Sequence, residues 1–312
     1  MTEPALVAAV DGSLASLHAV GWAARAAAGR GVPLRLVHVL DELALDFPRP
    51  LPTVENFGKV LTARGHRILR TARDAAQEAV PGLTPDLVLL RGIVGKCLAA
   101  QSHGAVLLVL GTPGLRPLVR ILLGSVSISL AAHADCPVAL VRPHAGDEEP
   151  PATGPVVVGV DGSPSSELAL GTAFEEAAWR NAPLTAVHCW DDRLLSAIFR
   201  ENRWNADSGI EQEAHVVLAE RVAGWAEKYP GVDVRQLVVR GRPAEQLLDL
   251  ADRAQLLVVG SRGRGGFGGF GGLLLGSTSQ AVMSYALCPV IVAGSGEEPP
   301  GPSGNTPADP RS

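Results

Sequence analysis

The feature that most constrains the fold of this chain is an internal repeat with a period of about 150 residues. The segment Val7–Ser13, which reads VAAVDGS, recurs at Val157–Ser163 as VVGVDGS. Three later landmarks return at nearly the same separation: a histidine at the end of an apolar run, His38-Val39 and His188-Cys189; an Arg-Gly pair at 91–92 and 240–241; and Cys-Pro-Val at 136–138 and 288–290. So constant a period predicts a duplicated domain, with one folding pattern used twice.

Within each copy, short apolar runs alternate with segments of helical periodicity. The runs predict strands at 5–10, 34–40, 86–91, 105–110 and 137–141, and at 156–160, 184–190, 233–239, 255–259 and 289–293. Several are apolar nearly throughout, which is typical of parallel strands covered on both faces by helices. We therefore predict an α/β protein with two tandem, open, parallel five-stranded sheets that carry helices on both faces, in a Rossmann-like arrangement.

Composition shifts place the domain boundaries. The first domain is predicted over residues 1–142, a proline-rich linker over 143–154, the second domain over 155–293, and a disordered Gly/Pro-rich tail over 294–312. Irregular stretches at 41–60 and 191–209 are either lids or plain surface connections. Ser13 and Ser163 are predicted to cap the first helix of each copy.

Charge and cysteine usage exclude several function classes. The chain has 27 Lys+Arg against 32 Asp+Glu, so its charge does not favour nucleic acid or an anionic membrane surface as a partner. Apolar runs are too short for a membrane helix, no signal peptide is evident, and we expect a cytoplasmic protein. The four isolated cysteines are expected to be buried thiols in a reducing compartment, with no metal site.

A glycine loop follows the fourth strand of each copy. In the first copy Gly111 and Gly114 are followed, after nine residues, by Gly124-Ser125 at the start of a predicted helix. Strand, glycine loop and helix N-terminus together form an anion site, because backbone N–H groups and the helix dipole favour phosphate. The alternative is a flexible glycine-rich connection.

Asp11 and Asp161 end the first strand of each copy, where open α/β sheets bind ligands. A carboxylate repels phosphate but accepts hydrogen bonds from a ribose hydroxyl or an adenine amine, so the aspartate is expected at the nucleoside end. The alternative is that each aspartate only forms an Asx turn before the helix.

Taken together, these landmarks resemble the universal stress protein family in its tandem form, over about residues 4–142 and 155–293. The resemblance implies a five-stranded parallel sheet in each domain, ATP binding with Mg²⁺ in many members, and pairing of the domains through their last strands, with a homodimer and an unidentified protein partner possible. It also implies which residues contact the nucleotide. For the first site these are Asp11, Val39, Leu110 and Gly111 at adenosine and Gly114, Gly124, Ser125 and Val126 at the phosphates; for the second they are Asp161, Cys189, Val259, Gly260, Gly263, Gly276, Ser277 and Thr278.

The two copies depart from one another in the glycine loop. Pro113 stands in the first copy where the second has Arg262, which costs one N–H and one cation. In the second copy twelve residues instead of nine separate Gly263 from Gly276, so the loop either bulges or reshapes the site. We therefore predict two unequal nucleotide sites.

No set of residues in the sequence reads as a positioned acid, base or metal cluster. His38 and His188 are interpreted as structural histidines near the sheet edge rather than catalytic ones. The leading hypothesis is thus a nucleotide-dependent regulator or sensor of the stress response rather than an enzyme. Slow ATP hydrolysis or adenylyl transfer, and a nucleotide-independent interaction module, are the alternatives.

Overall fold

The computed structural model describes residues 3–41, 54–113, 123–143, 150–190, 203–263 and 275–294. The first copy contains β1 Leu6–Ala9, α1 Leu14–Arg30, β2 Leu34–Asp41, α2 Val54–Ala79, β3 Asp86–Gly92, α3 Val94–Ser102, β4 Leu107–Gly111, α4 Ser125–His133 and β5 Val138–Val141. The second contains β6 Val156–Gly159, α5 Pro164–Arg180, β7 Leu184–Trp190, α6 Arg203–Lys228, β8 Val234–Arg240, α7 Pro243–Ala251, β9 Leu256–Gly260, α8 Ser277–Tyr285 and β10 Val290–Ala293.

The α/β prediction is confirmed, and each predicted strand lies within two residues of an observed one. The irregular stretches are shorter than predicted, because α2 begins at Val54 and α6 at Arg203. The last proline of the first stretch is Pro52, so nothing after it forbids a helix. The rest of both stretches, Gly114, the centre of the linker and the tail after Gly294 lie outside the described residues.

All ten strands belong to one sheet with the order β3-β2-β1-β4-β5-β10-β9-β6-β7-β8. Strands within each copy are parallel, and the two five-stranded halves meet where β5 pairs antiparallel with β10. Ala139 faces Ile291 at this junction, and the two occupy equivalent positions in their copies. The domains therefore pair through their last strands, as the family resemblance implies.

Helices cover both faces of the sheet because neighbouring strand residues point to opposite sides. Leu6 and Ala8 pack into the layer that holds α1, α2, α5 and α6, while Val7 packs into the layer with α3, α4, α7 and α8. Each layer runs across both copies, so the hydrophobic core is continuous through the junction.

The contact between α1 and α5 joins the copies a second time. Glu176 on α5 is 1 % exposed and pairs with Arg30 of α1 and, at 3.1 Å from Nε, with Arg180 of its own helix. The Arg180 guanidinium also lies 4.2 Å from the centre of the Trp179 ring, which itself packs against Gly29. An ionic and aromatic cluster thus crosses the junction with little exposure to water.

Two of the four cysteines are buried, as predicted, and two are not. Cys136 and Cys288 are buried, whereas Cys97 and Cys189 are partly accessible because they lie on α3 near its first turn and at the end of β7. Among the described helices, none combines the length and apolar character that a bilayer crossing requires.

Candidate functional site

The described site residues gather at the carboxyl ends of the strands, at the point where the strand order reverses. From β1 the chain moves outward to β2 and β3, then returns to β4 on the other side of β1. The second copy repeats this around β6 and β9. Open α/β sheets leave a ligand crevice at this switch point, because the loops on either side diverge.

Asp11 and Asp161 follow β1 and β6 at this crevice. The N–H of Ser13 donates to Asp11 Oδ1 at 2.8 Å, and the N–H of Ser163 donates to Asp161 Oδ1 at 2.9 Å. The Asx turn that stood as the alternative interpretation is therefore present in both copies. In both copies the N–H of the capping serine takes up Oδ1 of the aspartate.

Helix caps shape the chain around these aspartates. Ser13 and Ser163 accept hydrogen bonds from the N–H of Ser16 and Ser166, each at 3.2 Å, which confirms both predicted caps. Partial burial alone would raise the pKa of Asp11, but hydrogen bonds from Ser13 and Ser16 outweigh it and lower the pKa below its usual value. Asp11 is thus a carboxylate at neutral pH, able to accept hydrogen bonds only.

His38 and His188 bind the strand ends that carry the aspartates. Their Nδ1 atoms lie 2.6 Å and 2.7 Å from the carbonyl oxygens of Val10 and Val160, the residues just before Asp11 and Asp161. A carbonyl only accepts, so Nδ1 carries the proton in both rings. This contact supports the structural interpretation of the two histidines.

The glycines that end β4 and β9 are required by packing. A Cβ on Gly111 would lie 2.6 Å from the Ser16 nitrogen, and one on Gly260 would lie 2.7 Å from the Ser165 carbonyl oxygen. The end of β4 therefore touches the first turn of α1, and the end of β9 touches the first turn of α5. The close approach that these two glycines allow in the structure is that of the helix backbone.

Four predicted adenosine contacts have side chains that face the core to different extents. Leu110 and Val259 are 5 % and 3 % exposed, so their side chains are enclosed in the core. Val39 and Cys189, at the ends of β2 and β7, are half-buried. Burial raises the pKa of the Cys189 thiol to about 11, which keeps it neutral.

In the first copy, the N-terminus of α4 has no side-chain cap. Gly124 is its N-cap, and a Cβ there would meet nothing closer than Ser127 Oγ at 3.9 Å. The N–H of Ile128 donates a hydrogen bond to the Gly124 carbonyl at 3.1 Å, which is the first hydrogen bond of the helix. The N–H groups of the first turn, including those of Ser125 and Val126, thus have no partner within the helix.

In the second copy, the start of the glycine loop lies against α5. The carbonyl of Arg262 accepts a hydrogen bond from Ser165 Oγ, and the N–H of Gly276 donates to the Ser261 carbonyl at 2.9 Å. A Cβ on Gly263 would lie 2.6 Å from Asp161 Oδ2. We name residues 261–263 the second loop stem; it covers the Asp161 carboxylate.

The second loop stem also brings predicted site residues together. A Cβ on Gly276, the N-cap of α8, would lie 3.7 Å from both Arg262 Cα and the Gly263 nitrogen. Gly263 in turn contacts Asp161. Asp161, Gly263 and Gly276 therefore form one cluster, with Ser277 and Thr278 in the first turn of α8 beside it.

Sequence reasoning missed Ser165, the residue that ties the second loop stem to α5. Its equivalent in the first copy is Ala15, which has no hydroxyl to reach the carbonyl of Pro113. A comparison of the two copies position by position shows this difference, but its meaning depends on a contact with residue 262, 97 residues away. Across the described residues, no group of three or more His, Cys, Asp or Glu side chains forms a metal site.

Comparisons with known proteins agree with this architecture. A sequence profile described as the universal stress protein family matches residues 4–142 and 153–294. A universal stress protein of Mycobacterium tuberculosis is 43 % identical over 295 residues, covering 92 % of this chain and 96 % of the relative. Another from the same organism is 40 % identical over 321 residues, with 97 % and 98 % coverage. The crystal structure of a universal stress protein from Archaeoglobus fulgidus superposes with a TM-score of 0.66 at 21 % identity, covering 94 % of this chain and 99 % of that one.

Proposed function

This chain belongs to the universal stress protein family, and from that premise we propose that it binds adenine nucleotides at two sites and acts as a nucleotide-dependent regulator or sensor of the stress response. The observation that carries the proposal is the duplicated crevice. In each copy a carboxylate ends a central strand, and a helix with a glycine N-cap begins at the far end of the adjoining loop.

The first site would hold ATP between β1, β2 and α4. Asp11 would accept hydrogen bonds from the ribose or adenine, beside Val39 and the main chain of Leu110 and Gly111. The N–H groups of Ser125 and Val126 and the Ser125 hydroxyl would receive the phosphates, with Gly124 leaving room for them. Gly114 is part of this proposal from its sequence position alone. Magnesium would be bound mainly by phosphates and water.

The second site would use the equivalent groups: Asp161, Cys189, Val259 and Gly260 at adenosine, and Gly263, Gly276, Ser277 and Thr278 at the phosphates. Here the second loop stem covers Asp161 and is tied to Ser165. A nucleotide that engages Asp161 would compete with this stem for the carboxylate. We therefore propose that the second site binds ATP more weakly than the first.

The proposal is tested by the ligand content of the purified chain. Nucleotides released by denaturation and identified by mass spectrometry should include an adenine nucleotide, and calorimetry with Mg-ATP should show binding. Replacing Gly124 and Gly276 together by valine should abolish it, because a branched side chain at each N-cap fills the space before the helix. Absence of adenine nucleotide together with a flat titration would refute the proposal.

The same preparation separates the alternatives. Slow ATP hydrolysis or adenylyl transfer would appear as product that accumulates with time and disappears in the Asp11→Ala, Asp161→Ala double variant. A nucleotide-independent interaction module would behave like wild type after the double glycine substitution. The domain boundaries, a cytoplasmic location, a homodimer and a protein partner stay predictions.

A further inference from the structure

Arg142 crosses the junction between the copies and contacts the helix of the second candidate site. It follows β5 of the first copy and is 3 % exposed. Its Nη1 atom donates to the carbonyls of Ser284 and Ala286, each at 3.0 Å, and its Nη2 atom donates to that of Met283 at 2.9 Å. All three carbonyls lie at the C-terminal end of α8, the helix that begins at Gly276-Ser277.

These contacts supply what α8 lacks on its own. The last carbonyls of a helix have no partner within it, and they form the negative end of its dipole. The last turn of α8 contains no basic residue. The Arg142 guanidinium thus satisfies three orphan carbonyls and places a buried positive charge at this end.

The corresponding contact is missing on the other side of the junction. Gly294 occupies the position equivalent to Arg142, and its Cβ, if present, would point at the Ala134 carbonyl at the end of α4 from 3.1 Å. Helix α4 has its own basic residue in the last turn, His133. The first copy therefore supports the helix of the second, while a glycine stands at the reciprocal position.

We propose that Arg142 is a positioning residue for the second nucleotide site, contributed by the first domain. It fixes one end of α8, a nine-residue helix, so that the other end presents its N–H groups to the phosphates about 13 Å away. The second site is then complete only when both domains are paired. This inference rests on the proposed nucleotide binding.

The test compares Arg142→Met with Arg142→Lys and with a control, Arg30→Met. The control removes another cation from the same junction, one that contacts Glu176 and neither α4 nor α8. Second-site affinity is measured for Mg-ATP in an Asp11→Ala background, and first-site affinity in an Asp161→Ala background. Circular dichroism confirms that each variant is folded.

Arg142→Met should weaken the second site roughly tenfold and leave the first within about twofold, in the range typical of coupling between domains. Arg142→Lys should restore part of the loss, because an ammonium keeps the charge but reaches fewer carbonyls at once. Arg30→Met should not distinguish the two sites. Equal loss at both sites, or no loss at the second, would overturn the inference.

Hydrogen exchange of the nucleotide-free protein separates this inference from the proposed function. Arg142→Met should accelerate amide exchange in α8 and not in α4, whereas Arg30→Met should show no such selectivity. If the wild-type chain binds no nucleotide while α8 responds selectively, the proposed function fails and the structural role of Arg142 stands. If α8 exchange is unchanged, the role of Arg142 is refuted whatever the nucleotide result.

Discussion

The two copies have the same strand order and the same helix caps. They differ at the residue of the first helix that lies beside the end of the fourth strand. In the first copy Ala15 lies against Gly111 at the end of β4, and in the second the equivalent Ser165 also binds the carbonyl of Arg262. The duplicated fold therefore keeps strand order and helix caps in both copies, while a single side chain, Ser165, adds a contact between the loop stem and the first helix in the second copy.

The two copies also differ in side-chain size where α1 and α5 meet at the junction. Ala26 and Gly29 of α1 are the repeat equivalents of Glu176 and Trp179 of α5, and Gly29 lies against Trp179. The larger side chains of the second copy occupy the space that the first leaves. Sequence symmetry is thus broken where the copies touch, since two large or two small residues at one contact would clash or leave a void.

The largest expected effect concerns the ionic cluster that joins the copies. Glu176→Ala should lower the free energy of unfolding by about 3–5 kcal/mol, because it leaves Arg30 and Arg180 largely buried without their carboxylate. Glu245→Ala is the control in the same copy: its pair with Arg242 is solvent-exposed, and the loss should be below about 1 kcal/mol. Urea unfolding measures both. Equal effects would show that the cluster does not hold the junction.

A second contrast compares a closely packed glycine, Gly111 at the end of β4, with an unpacked one, Gly124 at the N-cap of α4. Gly111→Ala should destabilise the protein by about 1–3 kcal/mol, because the new methyl group meets the Ser16 nitrogen and the backbone must shift. Gly124→Ala has open space around it and should cost roughly 1 kcal/mol or less, the usual difference between these residues at an N-cap. Thermal unfolding ranks the two; the reverse order would contradict the packing described for β4 and α1.

Exchange of one hydroxyl between the copies should change nucleotide affinity. Ser165→Ala removes the bond to the Arg262 carbonyl, so the second loop stem should open more readily and second-site binding of Mg-ATP should tighten by about fivefold, the equivalent of one ordinary hydrogen bond. Ala15→Ser is the reciprocal variant and should weaken the first site. Calorimetry in the single-site backgrounds tests both. An unchanged second site in Ser165→Ala would mean that the stem does not oppose binding.

The smallest effect is a pH dependence at Asp11. Its pKa in the folded protein is lower than its ordinary value of 3.8, so the unfolded chain binds more protons as the pH falls. The stability that Asp11 contributes is present above about pH 4 and is lost as the pH falls through the folded-state pKa. The difference in free energy of unfolding between wild type and Asp11→Asn should therefore become smaller as the pH falls into the acid range. A gap that is constant from neutral pH to pH 3 would show that the Ser13 and Ser16 contacts do not favour the carboxylate.

Much of the fold was predictable because its signals are local. Apolar runs marked the strands to within two residues, and the recurring Asp-Gly-Ser located the helix caps. The repeat aligned the predicted site residues of both copies. What sequence reasoning missed depends on residues far apart in the chain: Glu176 meets Arg30 across 146 positions, and Arg142 meets Met283 across 141. No local pattern encodes such contacts.

Calorimetry with Mg-ATP on wild type, Asp11→Ala and Asp161→Ala tests the central claim most directly. We predict two classes of site in wild type, loss of the tighter class in Asp11→Ala, and loss of the weaker class in Asp161→Ala, because the second loop stem covers only Asp161. Two identical sites, or binding that neither substitution reduces, would contradict the account.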